Sequence, residues 1–110
     1  MDATQIVRII ERLEHMRLRK RFYLNSLDLE ATINFFAGFR IGLSTLGSPP
    51  DYRDELIDKK KIIHRRRGWE WNSGGAWAVM QNLGMSEEDI IDELLVIEIE
   101  AWNMVLKDIK

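Results

Sequence analysis

The sequence predicts an all-α fold, a compact bundle of about five helices. Apolar residues recur at intervals of three and four along most of the chain, the spacing that gives a helix one apolar face. Gly and Pro residues fall between these periodic stretches, where helices start and stop. A length of 110 residues is sufficient for one hydrophobic core. We therefore expect residues 1–110 to form a single helical domain.

The first predicted helix runs from about Ala3 to Arg21. Asp2 is placed to cap it, and Gln5 stands three residues later in the capping-box position. A helix of this register buries one stripe of aliphatic side chains against the core. That stripe consists of Ile6, Ile9, Ile10, Leu13 and Met16.

The second predicted helix spans about Leu27 to Leu46, between a capping Ser26 and the stop signal Gly47. It is apolar around most of its circumference, which is typical of a helix at the centre of a bundle. One charged residue, Arg40, falls within its apolar arc. A guanidinium in that position requires a partner.

Two further helices are predicted between this segment and the C-terminal part. Ser48 is a suitable N-cap for a third helix that ends near Arg67, and the thin apolar stripe of this helix predicts a peripheral position. Ser73 is a suitable cap for a short fourth helix that extends through Leu83. Gly68 and Gly84 follow these two helices as stop signals.

The fifth predicted helix, about Glu87 to Ile109, is expected to share the centre of the bundle with the second. Its apolar face carries Glu98 at the middle. Because an unpaired charge in a core is very costly, we expect Glu98 to pair with Arg40, with Arg17 as the competing partner. Such a pair either fixes helix register alone or forms a buried polar site for a ligand or metal.

Charge is divided unevenly along the chain. Residues 1–68 hold fourteen Lys/Arg against nine Asp/Glu, a balance of +5, whereas residues 69–110 hold two against nine, a balance of -7. The two parts are expected to neutralise each other, within one chain or across a homodimer. The alternative is a basic surface for nucleic acid in the N-terminal part. Cations near helix C-termini are also favoured without any ligand.

A segment rich in tryptophan follows the third predicted helix. Trp69 and Trp71 stand beside the basic residues Arg65, Arg66 and Arg67. Tryptophan and arginine together are typical of the residues that dominate binding energy at protein interfaces. The segment is therefore a candidate interface. The alternative is that both indoles fold under the loop and close one end of the core.

Two sets of carboxylates are weak candidates for metal binding. Asp89, Glu93 and Glu100 share a sector of the fifth helix, and oxygen ligands suit Mg²⁺ or Mn²⁺. A solvated helix face is the simpler interpretation. In addition, two short pairs of carboxylates, one in each of two predicted helices, resemble the Glu-x-x-Glu and Glu-x-x-Asp halves of the MazG-like all-α nucleotide pyrophosphohydrolases. They are Glu11 with Glu14 and Glu55 with Asp58, separated by more residues than is usual in that family.

The remaining features narrow the class of function. The chain has no cysteine, no stretch typical of a signal peptide in its first residues and no apolar run of membrane-spanning length, so we expect a cytoplasmic protein without a membrane partner. No nucleophile elbow, phosphate loop or His-x-x-x-His spacing occurs, and no cofactor is implied. These features favour a non-catalytic protein that binds another protein, its own copy or a separate target, in an inhibitor, immunity or regulatory role. A Mg²⁺-dependent nucleotide hydrolase and a nucleic-acid binder are the alternatives.

Overall fold

The computed structural model describes residues 2–19, 34, 51–71 and 75–109. Within them the chain forms four α-helices of more than one turn and no strand, which confirms the all-α class. The helices, numbered among the described residues alone, are α1 (Ala3–Leu18), α2 (Asp51–Arg66), α3 (Gly75–Asn82) and α4 (Glu87–Ile109).

The start of α1 is fixed by a complete capping box. The backbone N–H of Gln5 donates to the Asp2 carboxylate at 2.9 Å, and the backbone N–H of Asp2 donates to the Gln5 side chain at 2.9 Å. Both bonds satisfy donors that the first helical turn leaves without partners. The five residues of the predicted apolar stripe are all buried. The helix ends at Leu18, with Arg19 as its C-cap, three residues before the predicted end.

Helix α4 has the bounds that its sequence predicts. Ser86 Oγ accepts the backbone N–H of Asp89 at 3.2 Å at its start, and three acidic residues in the first turn complement the helix dipole. Burial extends over a broad face of this helix and includes Ile90 and Ile97. The remaining buried residues of α4 are Ile91, Leu95, Glu98, Ala101, Trp102 and Val105.

The core lies along α4, which packs against each of the other three described helices. The main apolar cluster joins the stripe of α1 to α4 and to Leu56 and Ile63 of α2. A smaller cluster, centred on Met80 and Ile90, holds α3 against the first turns of α4. Ion pairs at the middle and at the C-terminal end of α2 show that it runs antiparallel to α4, since Lys59 pairs with Asp108 and Arg67 with Glu93.

The turns after α2 and α3 are built alike. Gly68 and Gly84 have φ of +75° and +77°, a left-handed conformation that favours glycine. After α2, the N–H of Trp69 donates to the carbonyl of His64 at 2.8 Å and that of Gly68 to Arg65 at 3.1 Å. This is the Schellman pattern, which turns the chain back across the last turn of the helix.

Several expectations lie outside the described residues. The second predicted helix does so except for Asn34, which is helical and exposed. The proposed caps Ser48 and Ser73 also lie outside them. The five-helix count and the central place of that helix therefore stay predictions. In the part of the chain that the structure describes, no helix has both the length and the apolar character needed to cross a membrane.

Candidate functional site

The basic residues at the end of α2 are divided between two sides of the helix. At about 100° per residue, Lys60, His64 and Arg67 follow one another along the side that faces α4. Lys61 and Arg65 lie four residues apart on the adjoining outer flank, and both are exposed. These basic residues are close together in the sequence, whereas the helix separates them into an inner and an outer set.

The inner set forms ion pairs with acidic residues of α4. Lys60 Nζ lies 2.5 Å from an oxygen of Glu98, whose side chain is 3% exposed. Arg67 contacts Glu93 at 2.6 Å and Glu100 at 3.9 Å. Because these pairs lie at the α2–α4 contact, α2 needs fewer apolar residues to pack there. This explains why the apolar stripe of α2 looked too thin for more than a peripheral helix.

Glu98 is buried, as its place on the apolar face of α4 predicts, but Lys60 is a partner that the sequence did not single out. Arg40, the expected partner, lies outside the described residues. Arg17, the competing partner, makes a paired contact with Asp92, with both nitrogen–oxygen distances at 3.1 Å. This contact raises the pKa of Arg17, chiefly through the hydrogen bond to Asp92.

The uneven charge along the sequence is at least partly neutralised within the chain. Five ion pairs among the described residues join a cation before Gly68 to a carboxylate of α4. The acidic C-terminal helix thus lies against the basic helices, as one of the two predicted arrangements requires. A partner molecule is not needed to compensate these charges.

The two tryptophans after α2 lie in different environments. Trp69 is half-buried and packs against both apolar clusters, and the Arg67 guanidinium lies over its ring at 5.1 Å. Trp71 is 42% exposed, and Lys61 Nζ lies 6.0 Å from its ring centroid. The interpretation that both indoles close the core is therefore right for Trp69, while Trp71 stays at the surface.

His64 links the two indoles and is a residue that the sequence did not single out. Its ring is 2% exposed and meets Trp69 edge-on at 5.5 Å and Trp71 at 4.9 Å. Burial lowers the pKa of His64; a backbone hydrogen bond to Glu70 opposes this effect, and the charges of Arg67 and Lys60 reinforce it. Helical periodicity is the feature of the sequence that indicates burial of His64, because this residue stands eight residues after Leu56 and next to Ile63.

Lys61, Arg65 and Trp71 are all exposed at the C-terminal end of α2 and just after it, and we call these three residues the Trp71 surface. No ion pair within the described residues joins Lys61 or Arg65 to a carboxylate, in contrast to their neighbours Lys60 and Arg67. Arg66 is exposed too, but one residue further on it lies about 100° around the helix, away from this flank.

The weak metal candidates do not form a ligand set. Glu93 and Glu100 both contact Arg67, and Asp89 is exposed in the first turn of α4. The carboxylates that resemble the pyrophosphohydrolase halves, Glu11 with Glu14 and Glu55 with Asp58, are all exposed. Among the described residues, no group of three or more His, Asp or Glu side chains is placed to hold a metal ion.

We compared the chain with protein-family models, with curated proteins and with solved structures. None of the three comparisons gave a match.

Proposed function

We propose that this protein acts by binding another protein and that the Trp71 surface is where the partner docks. The observation that carries the proposal is the state of Trp71, a large indole left 42% exposed while the indole two residues earlier packs against the core. Trp is the residue type most often found at the energetic centre of protein interfaces. Its position is held from below by the buried ring of His64 at 4.9 Å.

The contacts that Trp71 makes within the chain support a binding role. An anchor residue binds more tightly when its conformation is fixed beforehand, because less conformational freedom is lost on association. Trp71 follows a Schellman turn, lies edge-on to a buried imidazole and has a lysine near its ring. These contacts leave the ring 42% exposed.

A role in nucleic-acid binding has less support. Such binding depends on several cations that are free to neutralise phosphates. Arg17, Lys59, Lys60 and Arg67 are engaged with carboxylates of α4. To neutralise a phosphate, each of these cations would have to leave its carboxylate. A cation that stays in its ion pair has its charge already compensated.

The test is affinity capture from an extract of the native host, after nuclease treatment, with four immobilised forms of the protein. They are the wild type, Trp71→Ala, Arg65→Glu and Arg66→Glu. We expect a protein retained by the wild type and by Arg66→Glu, and lost with Trp71→Ala. Arg66→Glu is the matched control, since it makes the same charge change on the other flank of α2. Equal capture by all four forms would refute docking at this surface.

A further inference from the structure

The imidazole of His64 is enclosed in a way that favours its neutral form. The ring is 2% exposed, and its Nδ1 is buried without a hydrogen-bond partner in the part of the chain that the structure describes. In a neutral imidazole such a nitrogen is an acceptor, and an unpaired acceptor costs less than an unpaired donor that carries charge. Protonation turns both ring nitrogens into charged donors. The surroundings of His64 therefore disfavour the protonated ring.

The charged groups around His64 reinforce this preference. Lys60 and Arg67, four residues before it and three residues after it on α2, are cations. Burial is the main cause that lowers the pKa of His64, the charges of Arg67 and Lys60 add to it, and a hydrogen bond to the backbone of Glu70 opposes it. Helix α3 carries no charged residue. The carboxylates of α4 that contact α2 on this side are paired with the same two cations, and they are Glu93, Glu98 and Glu100.

Trp71 is the neighbour of His64 that can move away at the lower cost. Both indoles contact the imidazole, with ring centroids 5.5 Å away for Trp69 and 4.9 Å away for Trp71. Trp69 also packs against both apolar clusters, so its movement would disturb the core. Trp71 is already 42% exposed, so its movement transfers less apolar surface to water.

We propose that protonation of His64 in mild acid displaces Trp71 from the imidazole, so that the Trp71 surface is intact at neutral pH and dismantled at lower pH. The displacement uncovers the imidazolium, which then forms hydrogen bonds with water. Cation–π attraction to the indole opposes this step, but it is weaker than the hydration that burial withholds from a charged ring.

The consequence for binding rests on the proposed function. If a partner docks on Trp71, its affinity falls in mild acid, because only the form with neutral His64 presents the indole in place. For a single proton the affinity falls by about tenfold for each pH unit below the pKa of His64 in the free protein.

The experiment is a pH titration of the protein labelled with fluorotryptophan, followed by fluorine NMR. The chain has four tryptophans, and the resonances of Trp71 and Trp102 are identified by their absence from Trp71→Phe and Trp102→Phe. As the pH falls from about 7 to 5, we expect the Trp71 resonance to move towards that of free fluorotryptophan. The resonance of Trp102, which is buried in the core, should stay in place. The ring protons of His64 should titrate with the same midpoint.

Two variants without an ionisable group at residue 64 provide the control. His64→Phe keeps a ring against the indoles, and His64→Gln is a smaller replacement that serves if the Phe variant does not fold. In either variant the Trp71 resonance should not titrate in this window, whereas His15→Gln, which replaces an exposed histidine, should behave as the wild type. A Trp71 resonance that stays in place while His64 becomes protonated would overturn the proposal. So would equal movement in the His64 variants, or movement of Trp71 and Trp102 together, which indicates unfolding of the whole protein.

Partner capture separates this inference from the proposed function. If the Trp71 resonance titrates as expected but wild type and Trp71→Ala capture the same proteins, docking at this surface is wrong and the displacement of Trp71 stands. If Trp71→Ala loses a partner at neutral pH but the resonance does not titrate, docking stands and the displacement is wrong.

Discussion

His64 is buried between two indoles and close to two cations, so its charged form is disfavoured in the folded protein. Burial lowers its pKa, and Arg67 and Lys60 act in the same direction, against a backbone hydrogen bond to Glu70. Glu98 is a second buried ionisable group, and it lies beside Lys60. Lys60 therefore takes part in the electrostatics of both buried groups, and the two can be tested separately.

For His64 we predict a loss of stability in mild acid. The unfolded chain takes up a proton near pH 6.5, whereas the folded chain does so only at lower pH. The contribution of His64 to the free energy of unfolding is thus fully present above about pH 6.5 and is lost as the pH falls towards the folded pKa. Denaturant unfolding at several pH values between about 7 and 5 measures the slope of the free energy of unfolding against pH.

The two histidines of the chain provide the control for this prediction. His64→Leu should remove most of the slope in that window, while replacement of the exposed His15 by Gln should leave it in place. If His64→Leu leaves this slope unchanged, the conclusion that the imidazole of His64 is buried and neutral in the folded protein is wrong.

For Glu98 we predict that the free energy of unfolding depends strongly on its pairing with Lys60. Glu98→Ala should lower the free energy of unfolding by about 3 to 5 kcal/mol, because it removes one partner of a largely buried ion pair. The double variant Lys60→Met with Glu98→Leu should recover most of that loss, since it removes both charges and keeps apolar volume. Glu100→Ala, at a more exposed site, should change it by less than about 1 kcal/mol. A double variant that is no more stable than Glu98→Ala would show that the stability does not depend on pairing of these two charges.

Helices α1 and α4 illustrate which elements a sequence specifies well. In α1 the capping residues and the apolar stripe point to the same register, and α4 begins and ends where the acidic first turn and the periodicity indicate. For α2 the periodicity was weak because Lys60, His64 and Arg67 occupy positions on its inner face. Helical phase alone would have separated the inner cations from Lys61 and Arg65. The choice of Lys60 as partner of Glu98 depends on tertiary placement, which sequence spacing does not contain.

The Schellman turn at Gly68 connects α2 to the Trp71 surface. Gly68 has φ +75° with open space around it, so Gly68→Ala meets backbone strain and no steric clash. We expect a loss of about 1 to 2 kcal/mol in the free energy of unfolding together with weaker partner binding, because the turn positions Trp71. Gly84→Ala, at the equivalent turn after α3 with φ +77°, should destabilise to a similar degree without affecting binding. Equal partner binding by Gly68→Ala and Gly84→Ala would show that the turn at Gly68 does not position the docking surface.

At the scale of the whole molecule, part of the positive charge in the described residues is used within the fold. One set of cations holds the acidic C-terminal helix against the basic helices through ion pairs. The cations left on the outer flank of α2 adjoin the exposed indole of Trp71. The near-neutral net charge of -2 hides this arrangement. The pairing of these cations with the acidic helix also explains why a basic N-terminal part does not by itself indicate nucleic-acid binding.

Hydroxyl-radical footprinting with mass spectrometry, with and without the captured partner, tests docking at the Trp71 surface most directly. In the free protein Trp71 should be oxidised readily and the buried Trp102 should be protected. In the complex we predict strong protection of Trp71, whereas Leu83, 62% exposed at the end of α3, should react as before. Unchanged oxidation of Trp71 in the complex, or protection at Leu83 instead, would contradict docking at this surface.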